Sequence, residues 1–350
     1  MNSRRVWFVT GATSGFGRAI AEAAVAAGDV VIGAGRRTGP LDDLVAAHPD
    51  QVEARQLDVT DVPAARAAIA ELEARYGRID VLVNNAGRGQ VGAAEETTEQ
   101  ELRGLFELHF FAATELARAV LPGMRARRTG AIVQMSSMGG QVTYPGFAAY
   151  CATKFALEGW SEALAAEVRP LGIDVLIVEP GSFRTELAGA STIESAEIAD
   201  YAPTVGPTRE MNRAVHGNQP GDPARASAAI LHALDSDQPP LRLALGDDAI
   251  DAIRDHLRGV DRELTAWETL GRATKLRPRR SQQIISDRER TAGSARGRWS
   301  RPRTGVDDNG RRFLRDRPKS TKERPHARVQ ASISHRVDPC AYRCPVRRLP

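Results

Sequence analysis

The first thirty-five residues constrain the fold more than any other part of the chain. An apolar run, RRVWFVT (4–10), leads straight into TGATSGFG (10–17). An alanine-rich stretch (18–27) then ends at Gly28, and a second apolar run, VVIGAG (30–35), follows. Short apolar runs bounded by turn signals read as buried strands. Gly11, Gly15 and Gly17 stand between the first of them and a helical stretch. Strand, glycine turn, helix and strand in that order begin a parallel sheet, because parallel neighbours need a crossover long enough to hold a helix.

The alternation continues. VEARQLD (52–58) reads as a third strand. Thr60 or Asp61 can cap the next helix, which carries Pro63 in its first turn and stops at Gly77. DVLVNNAG (80–87) is a fourth strand with its loop, and one long helical stretch runs over 99–124 with Pro122 near its end. AIVQMSS (131–137), a helix over 148–168, IDVLIVEPG (173–181) and LRLALG (241–246) complete the series, with helices resuming over 222–234 and 247–270. Such alternation, with near-continuous apolar strands, predicts an α/β fold: a doubly wound parallel sheet covered by helices on both faces. Residues 182–222 are irregular and richer in Pro, Gly and Thr, as in a substrate lid.

Charge divides the chain at residue 275. The last 76 residues hold 22 Lys and Arg against 7 Asp and Glu, a balance of +15. The first 274 hold 26 against 37, or −11, so the formal net charge of +4 describes neither part. Leu, Ile, Val and Phe number only 11 in that tail, too few for a packed core. Residues 1–274 are therefore expected to form the catalytic domain and 275–350 a basic, disordered extension. The extension reads either as an arm that meets nucleic acid by counterion release or as an addition without an evolved role. Its scattered arginines, with Trp299, Phe313 and Tyr342 not interleaved among them, favour the second reading. No early apolar run is long enough for a signal peptide or membrane span, so a soluble, cytoplasmic protein is expected. Cys151, Cys340 and Cys344 make no disulfide framework, and the pair at 340 and 344 lacks a second ligand pair for a metal. Cys151 reads as a small buried residue.

The turn after the first strand suits a dinucleotide. Glycines there let backbone N–H groups approach a pyrophosphate at the positive end of a helix, so Gly11, Thr13, Ser14, Gly15, Phe16 and Gly17 are candidate contacts. The end of the second strand selects the cofactor. An acidic residue would bind ribose hydroxyls, but this chain has Arg36 and Arg37. Guanidinium groups favour a 2′-phosphate, hence NADP(H) over NAD(H); the competing reading is two solvated surface arginines. Asp58 can accept from the adenine amino group or serve as a loop and capping residue. In NNAG (84–87), Asn84 is expected to tie strands together, while Asn85, Ala86 and Gly87 line the nucleotide side.

Tyr150 and Lys154 lie one helical turn apart if 148–168 is a helix. A free phenol, with a pKa of about 10, is a poor acid–base at neutral pH, and an adjacent ammonium favours its ionised form. Ser137, at the end of the fifth strand, can hold a substrate oxygen against Tyr150. The set predicts proton transfer at a carbonyl or alcohol alongside hydride transfer. Alone, the Tyr–Lys pair is also an ordinary helix face.

Taken together, the chain resembles the short-chain dehydrogenase/reductase family over roughly residues 4–270. TGATSGFG is similar to that family's TGxxxGxG, and NNAG, Ser137, Tyr150-x-x-x-Lys154 and Pro180–Gly181 fall in the expected order. The segments around FAAYCATKFALEGWSEALAAEV and VEPGSFRTEL are similar to bacterial members near the retinol and 17β-hydroxysteroid dehydrogenase-like branch. The resemblance implies one Rossmann domain with seven parallel strands. It also implies a homodimer or homotetramer packed through the long central helices, a small carbonyl or alcohol substrate, Lys154 gripping the nicotinamide ribose, and Pro180, Gly181 and Thr185 meeting the nicotinamide. It departs at one place. His109 stands where the family often has an asparagine that leads protons to the lysine. The imidazole can take over that relay or can be a helix histidine satisfied by backbone. A non-catalytic dinucleotide-binding regulator on the same fold would be expected to have lost Ser137, Tyr150 or Lys154, and all three are present.

Overall fold

The computed structural model describes residues 4–189 and 191–276. Strand β1 (Val6–Thr10) is buried on both faces and leads through the glycine turn into α1 (Gly15–Ala26). Then come β2 (Val30–Gly35), a short α2 (Asp42–Ala47), β3 (Val52–Gln56) and α3 (Val62–Tyr76). Asp61 caps α3 by accepting from the Ala64 amide at 3.0 Å. Gly77 ends the helix at φ 74°, a left-handed conformation that glycine adopts without a Cβ penalty. Next are β4 (Val81–Asn84), β5 (Gly89–Val91) and α4 (Glu99–Phe106). A π-helical turn (Glu107–Phe111) passes into α5 (Ala112–Arg127). The rest of the chain is β6 (Gly130–Met135), α6 (Ala148–Val168), β7 (Ile173–Pro180), β8 (Thr192–Glu194), α7 (Ala202–Val215), α8 (Pro223–Leu234), β9 (Arg242–Leu245) and α9 (Asp247–Arg272).

Seven strands make one parallel sheet in the order β3-β2-β1-β4-β6-β7-β9, as the alternation predicts. Two apolar layers cover it. Phe8, Ile32, Leu82 and Ile132 point into the layer shared with α3, α5 and α6. Trp7, Val9, Val31, Val83 and Val133 point into the one shared with α1 and α8. Successive strand residues serve opposite layers, which is why the strands are apolar throughout rather than alternating. The order reverses direction between β1 and β4, so the loops after those strands diverge and leave a crevice at their carboxyl ends.

Two expectations need correction. The helical stretch over 99–124 is not continuous: the π turn interrupts it at His109, and α5 runs on to Arg127 with Pro122 inside. Apolar periodicity alone does not register one extra residue in a turn. Residues 182–222 contain α7, whose Pro203 and Pro207 masked its helical pattern. They also contain β8, which pairs in parallel with β5 as a separate two-stranded sheet. The expectations for residues 277–350, including Cys340 and Cys344, lie outside the described residues.

Candidate active site

The glycine turn is closed by its own surroundings. The Thr10 hydroxyl accepts from the amides of Asn85 (2.9 Å) and Ala86 (3.1 Å), fastening the loop after β4 to the end of β1. Asn85 Nδ2 returns the tie by donating to the carbonyls of Thr10 (2.9 Å) and Gly11 (3.2 Å). Gly11 and Gly15 have φ of 62° and 53°. A Cβ on Gly17 would overlap the Gly11 carbonyl and lie 2.5 Å from Asn85 Nδ2. Ser14 is the N-cap of α1, extended and making no side-chain capping bond, so no side chain covers the helix's first amides. Amides at the positive end of a helix beside a cradle that only glycine fits are suited to a pyrophosphate. Thr13 packs beside Gly35 at the end of β2: a Cβ there would meet Thr13 Cγ2 at 2.9 Å.

Just beyond Gly35, Arg36 and Arg37 are exposed. Their side chains make no hydrogen bond or ion pair with the described residues. Arg36 is near enough to Asp58 to help hold that carboxyl below its ordinary range, behind the larger effects of its bonds to the Thr60 hydroxyl and amide. Those bonds, at 2.7 and 3.0 Å, engage Asp58 within its own loop, while the cap of α3 is Asp61. Asn84 ties elements together, donating to the Ala113 carbonyl (2.9 Å) and to Gln134 (3.0 Å). Asn85 spends its amide on the turn. Ala86 and Gly87 are the members of NNAG left beside the crevice: a Cβ on Gly11 would stand 2.9 Å from Ala86 Cα, and one on Gly87 3.3 Å from His109 Nε2.

Helix α6 brings Tyr150 and Lys154 onto one face under the ends of β6 and β7. Tyr150 is 7 % exposed, its ring edge-on to His109 with centroids 5.6 Å apart. Its ring and the Ser137 Oγ border the same glycine, Gly139, and burial pushes the phenol up to about 12 against the pull of that neighbouring hydroxyl. The Lys154 ammonium lies 5.7 Å from the centre of the tyrosine ring and donates to the Met135 carbonyl at 2.8 Å. Desolvation brings it down to about 8. The sequence predicts a phenol made acidic by its neighbour; in the structure burial is the largest influence and raises it, and the ammonium's hydrogen bond goes to a carbonyl. Ser137 is extended and its Oγ accepts from the Gly139 amide at 3.0 Å. Cys151 is buried beside Tyr150, its thiol raised to about 11 by burial.

His109 hangs from the π turn and is fully buried. Its Nε2 accepts from the Arg88 amide at 3.1 Å. Its Nδ1 lies 2.9 Å from Thr153 Oγ1. Because the Thr153 hydroxyl donates to the Tyr150 carbonyl at 2.7 Å, its oxygen is left to accept, and Nδ1 carries the proton. Desolvation, then the charges of Lys154 and Arg88, hold the imidazole well below its ordinary pKa, so it is neutral. It is satisfied by a backbone amide and a hydroxyl.

Across the crevice, Pro180 ends β7. Gly181 donates to the Leu245 carbonyl at 2.9 Å, and a Cβ there would overlap Asp248. Thr185 lies against Gly15, and Phe183 packs on Phe16 with ring centroids 5.1 Å apart. The loop after β7 therefore meets the glycine turn directly. Sequence reasoning missed Arg209 of α7, whose guanidinium donates to Glu96 at 2.7 Å with both side chains buried. It also missed Thr10, Thr153 and a carboxylate pair, Glu158 and Glu179, behind Lys154. Only their polarity inside apolar runs could have marked them. Among the described residues no cluster of His, Cys, Asp or Glu could hold a metal.

Known proteins share this arrangement. The model of the short chain dehydrogenase family matches residues 5–195. Oxidoreductase BOA17 of Botryotinia fuckeliana is 37 % identical over 248 residues, 71 % of this chain and 90 % of that one. The 3-ketodihydrosphingosine reductase of Bacteroides thetaiotaomicron is 36 % identical over 245 residues, 69 % of this chain and 88 % of its own length. A crystal structure of a short-chain dehydrogenase from Streptomyces avermitilis superposes with a TM-score of 0.75 at 59 % identity, covering 79 % of this chain and all of the other. A serine dehydrogenase complexed with NADP+ does so at 0.60 and 27 % identity, over 69 % and 94 %. The motif order, the sheet and these likenesses agree: the chain belongs to the short-chain dehydrogenase/reductase family of NAD(P)-dependent oxidoreductases.

Proposed function

We propose that the protein is an NADP(H)-preferring reductase of an apolar ketone or aldehyde, running in reverse as a secondary-alcohol dehydrogenase, with Tyr150 as its acid–base. The observation that carries this is the buried Tyr150 phenol beside Ser137, with the Lys154 ammonium 5.7 Å from its ring. The glycine cradle and the uncapped start of α1 fit the dinucleotide's pyrophosphate, and Arg36 and Arg37, free and exposed, fit a 2′-phosphate. In this reading Lys154 holds the ribose on the nicotinamide side, and Pro180, Gly181 and Thr185 bound the nicotinamide. When bound, the nicotinamide supplies the hydride for reduction and accepts it in oxidation.

The protein's own part is proton transfer. Ser137 and Tyr150 together hold the carbonyl oxygen. A phenol raised by burial stays protonated near neutrality and gives its proton to that oxygen as negative charge develops there, leaving the alcohol and a phenolate beside the Lys154 ammonium. Oxidation reverses each transfer. A reductase of a long-chain ketone among the relatives, and sequence likeness to the retinol and 17β-hydroxysteroid branch, support an apolar substrate. Leu102, Phe111 and Phe155, exposed on α4 to α6, support a homodimer or homotetramer packed through these helices.

Screening NADPH oxidation against ketones, aldehydes, steroids and acyl thioesters identifies the substrate. On it, Tyr150→Phe is expected to lower kcat by roughly 10²- to 10⁴-fold while NADPH binding persists. Wild-type turnover by that variant would overturn the assignment.

A further inference from the structure

Behind the catalytic face of α6 lies a second set of buried polar groups that the chemistry above does not use. Glu158, one turn beyond Lys154, is 3 % exposed, and Glu179, the residue before Pro180, is 2 % exposed. Their carboxyl groups converge on one guanidinium nitrogen. Ser136 donates to Glu158 Oε1 at 2.5 Å, and Gln141 to Glu179 Oε1 at 2.5 Å. Arg242 Nε on β9 lies 3.4 Å from Glu158 Oε2 and 3.3 Å from Glu179 Oε1, and its other end binds Glu162 at 2.8 Å. Gly140 is tied to this packing, since a Cβ there would overlap Glu158 and come 2.5 Å from Ser136 Oγ.

Two buried carboxyls that converge on a single guanidinium nitrogen are costly to keep ionised together, and a proton on one of them relieves that cost. A single guanidinium, shared with a third carboxylate, does not neutralise two buried charges. The bonds of the pair run to the two ends of the segment that carries Ser137, namely Ser136 and Gln141. The pair's own residues belong to the helix of Tyr150 and Lys154 and to the strand end at Pro180. We propose that Glu158 and Glu179 are positioning residues of this active site: a carboxyl–carboxylate pair holding one proton, which fixes the Ser137 segment between α6 and β7 and sets the negative charge felt by Lys154. This rests on the proposed function for its catalytic part.

Glu179 carries the proton. Burial and the Glu158 charge push it up to about 7; burial raises Glu158 too, but there the Ser136 hydroxyl and Arg242 oppose it and favour the ionised form. The charge of Glu158 in turn favours the ammonium of Lys154. The charged groups facing the pair are Lys154 and Glu162 on α6 and Arg242 on β9. The 136–141 segment brings only Ser136 and Gln141, and the nearby Asp248 of α9 is engaged by the Ser182 amide at 2.7 Å. A proton bound more tightly in the folded than the unfolded state stabilises fully below the unfolded pKa, about 4.5. That contribution is lost as pH rises through about 7.

Glu179→Gln keeps a donor toward Glu158 but cannot titrate; Glu158→Gln removes the charge beside Lys154. The thermal midpoint of the full chain against pH, from 5 to 8.5, reads the pair without any turnover. Wild type is expected to lose stability relative to Glu179→Gln as pH rises through 7, and parallel curves would overturn the shared proton. The shape of the kcat–pH profile, rather than its height, reads the positioning. Glu179→Gln is expected to lose the decline that sets in near neutrality, and Glu158→Gln to move the alkaline limb to lower pH. Superimposable profiles in all three proteins would overturn the positioning role. A wild type that reduces no carbonyl would overturn the proposed function and the catalytic half of this inference, while the stability curves still decide the pair.

Discussion

Around Gly17 the contacts are made by backbone and by two side chains, the Thr10 hydroxyl and the Asn85 amide, which lock the turn to the ends of two adjacent strands. Around Arg209 the work is done by side-chain charge. Glu96 accepts from the Ala93 amide (2.6 Å), the Ile198 amide (2.8 Å) and the Arg209 guanidinium (2.7 Å), joining α7 to a loop 113 residues earlier. The first region is built for one geometry, since backbone wedged against backbone has no alternative packing. The second is a strap bonded at a few points. An oxidoreductase of this kind has to hold one invariant ligand, the nucleotide, and admit one variable ligand, the substrate. Under the proposed function the first region serves the nucleotide and the second the substrate, so substitutions in them should fail differently.

The largest failure is expected from Gly17→Ala. Its Cβ has no space against the Gly11 carbonyl, so the turn must open, at a cost of roughly 3 kcal/mol and with loss of NADPH binding by fluorescence titration. Retained nucleotide affinity would show that the cradle is softer than its packing indicates.

Glu96→Gln should act on the other side of the comparison. It keeps the shape and leaves Arg209 buried without its main counter-charge. Breaking such a pair costs about 3–5 kcal/mol where nothing replaces it; here Glu194 and Glu197, each 3.8 Å from the guanidinium, should hold the loss to about 2 kcal/mol. Hydrogen exchange should speed up over residues 192–215, and KM for the carbonyl should rise while the Kd of NADPH stays unchanged. Loss of protection spread evenly through the sheet would erase the distinction between cradle and strap.

That distinction also explains what could be read from the sequence. The cradle is local: an apolar run, three glycines at fixed offsets and a helix fall within thirty residues, and the pattern dictates the turn. The same holds for Tyr150 and Lys154, whose four-residue spacing fixes a shared helix face once α6 forms. Arg209–Glu96, β5 with β8, and Glu158 with Glu179 each join distant segments, and no periodicity encodes which polar residues will meet. Side chains such as Asn85 and Asp58 fell in the right places with local bonds already using their polar atoms. The phenol's state was the hardest to anticipate, because burial, which decides it, is a property of the assembled fold.

At the rim of the cradle, Arg36→Ala should weaken NADPH roughly tenfold, about 1.4 kcal/mol, and leave NADH within about twofold, because an exposed guanidinium without an internal partner supports nothing but its ligand. Equal weakening of both nucleotides would make Arg36 structural and return the cofactor preference to Arg37 or to neither.

The smallest effect is expected at the joint between the two regions. His109 accepts from the amide of Arg88, the residue before β5, and donates to Thr153 on α6, so the strap's inner strand is fastened to the catalytic helix through a neutral imidazole. An asparagine can make both bonds with its carbonyl and amide. His109→Asn should therefore keep kcat within about threefold, while His109→Ala, which leaves a buried amide unpaired, should lose several-fold more. The pH profile separates this positioning role from a proton relay. With its pKa held well below 6.5 by burial, His109 contributes no ionisation between pH 6 and 7, and wild type and His109→Asn should share one acid limb. An acid limb near pH 6.5 that vanishes in His109→Asn would mean that the imidazole takes up protons during turnover, which the bonds at both its nitrogens oppose.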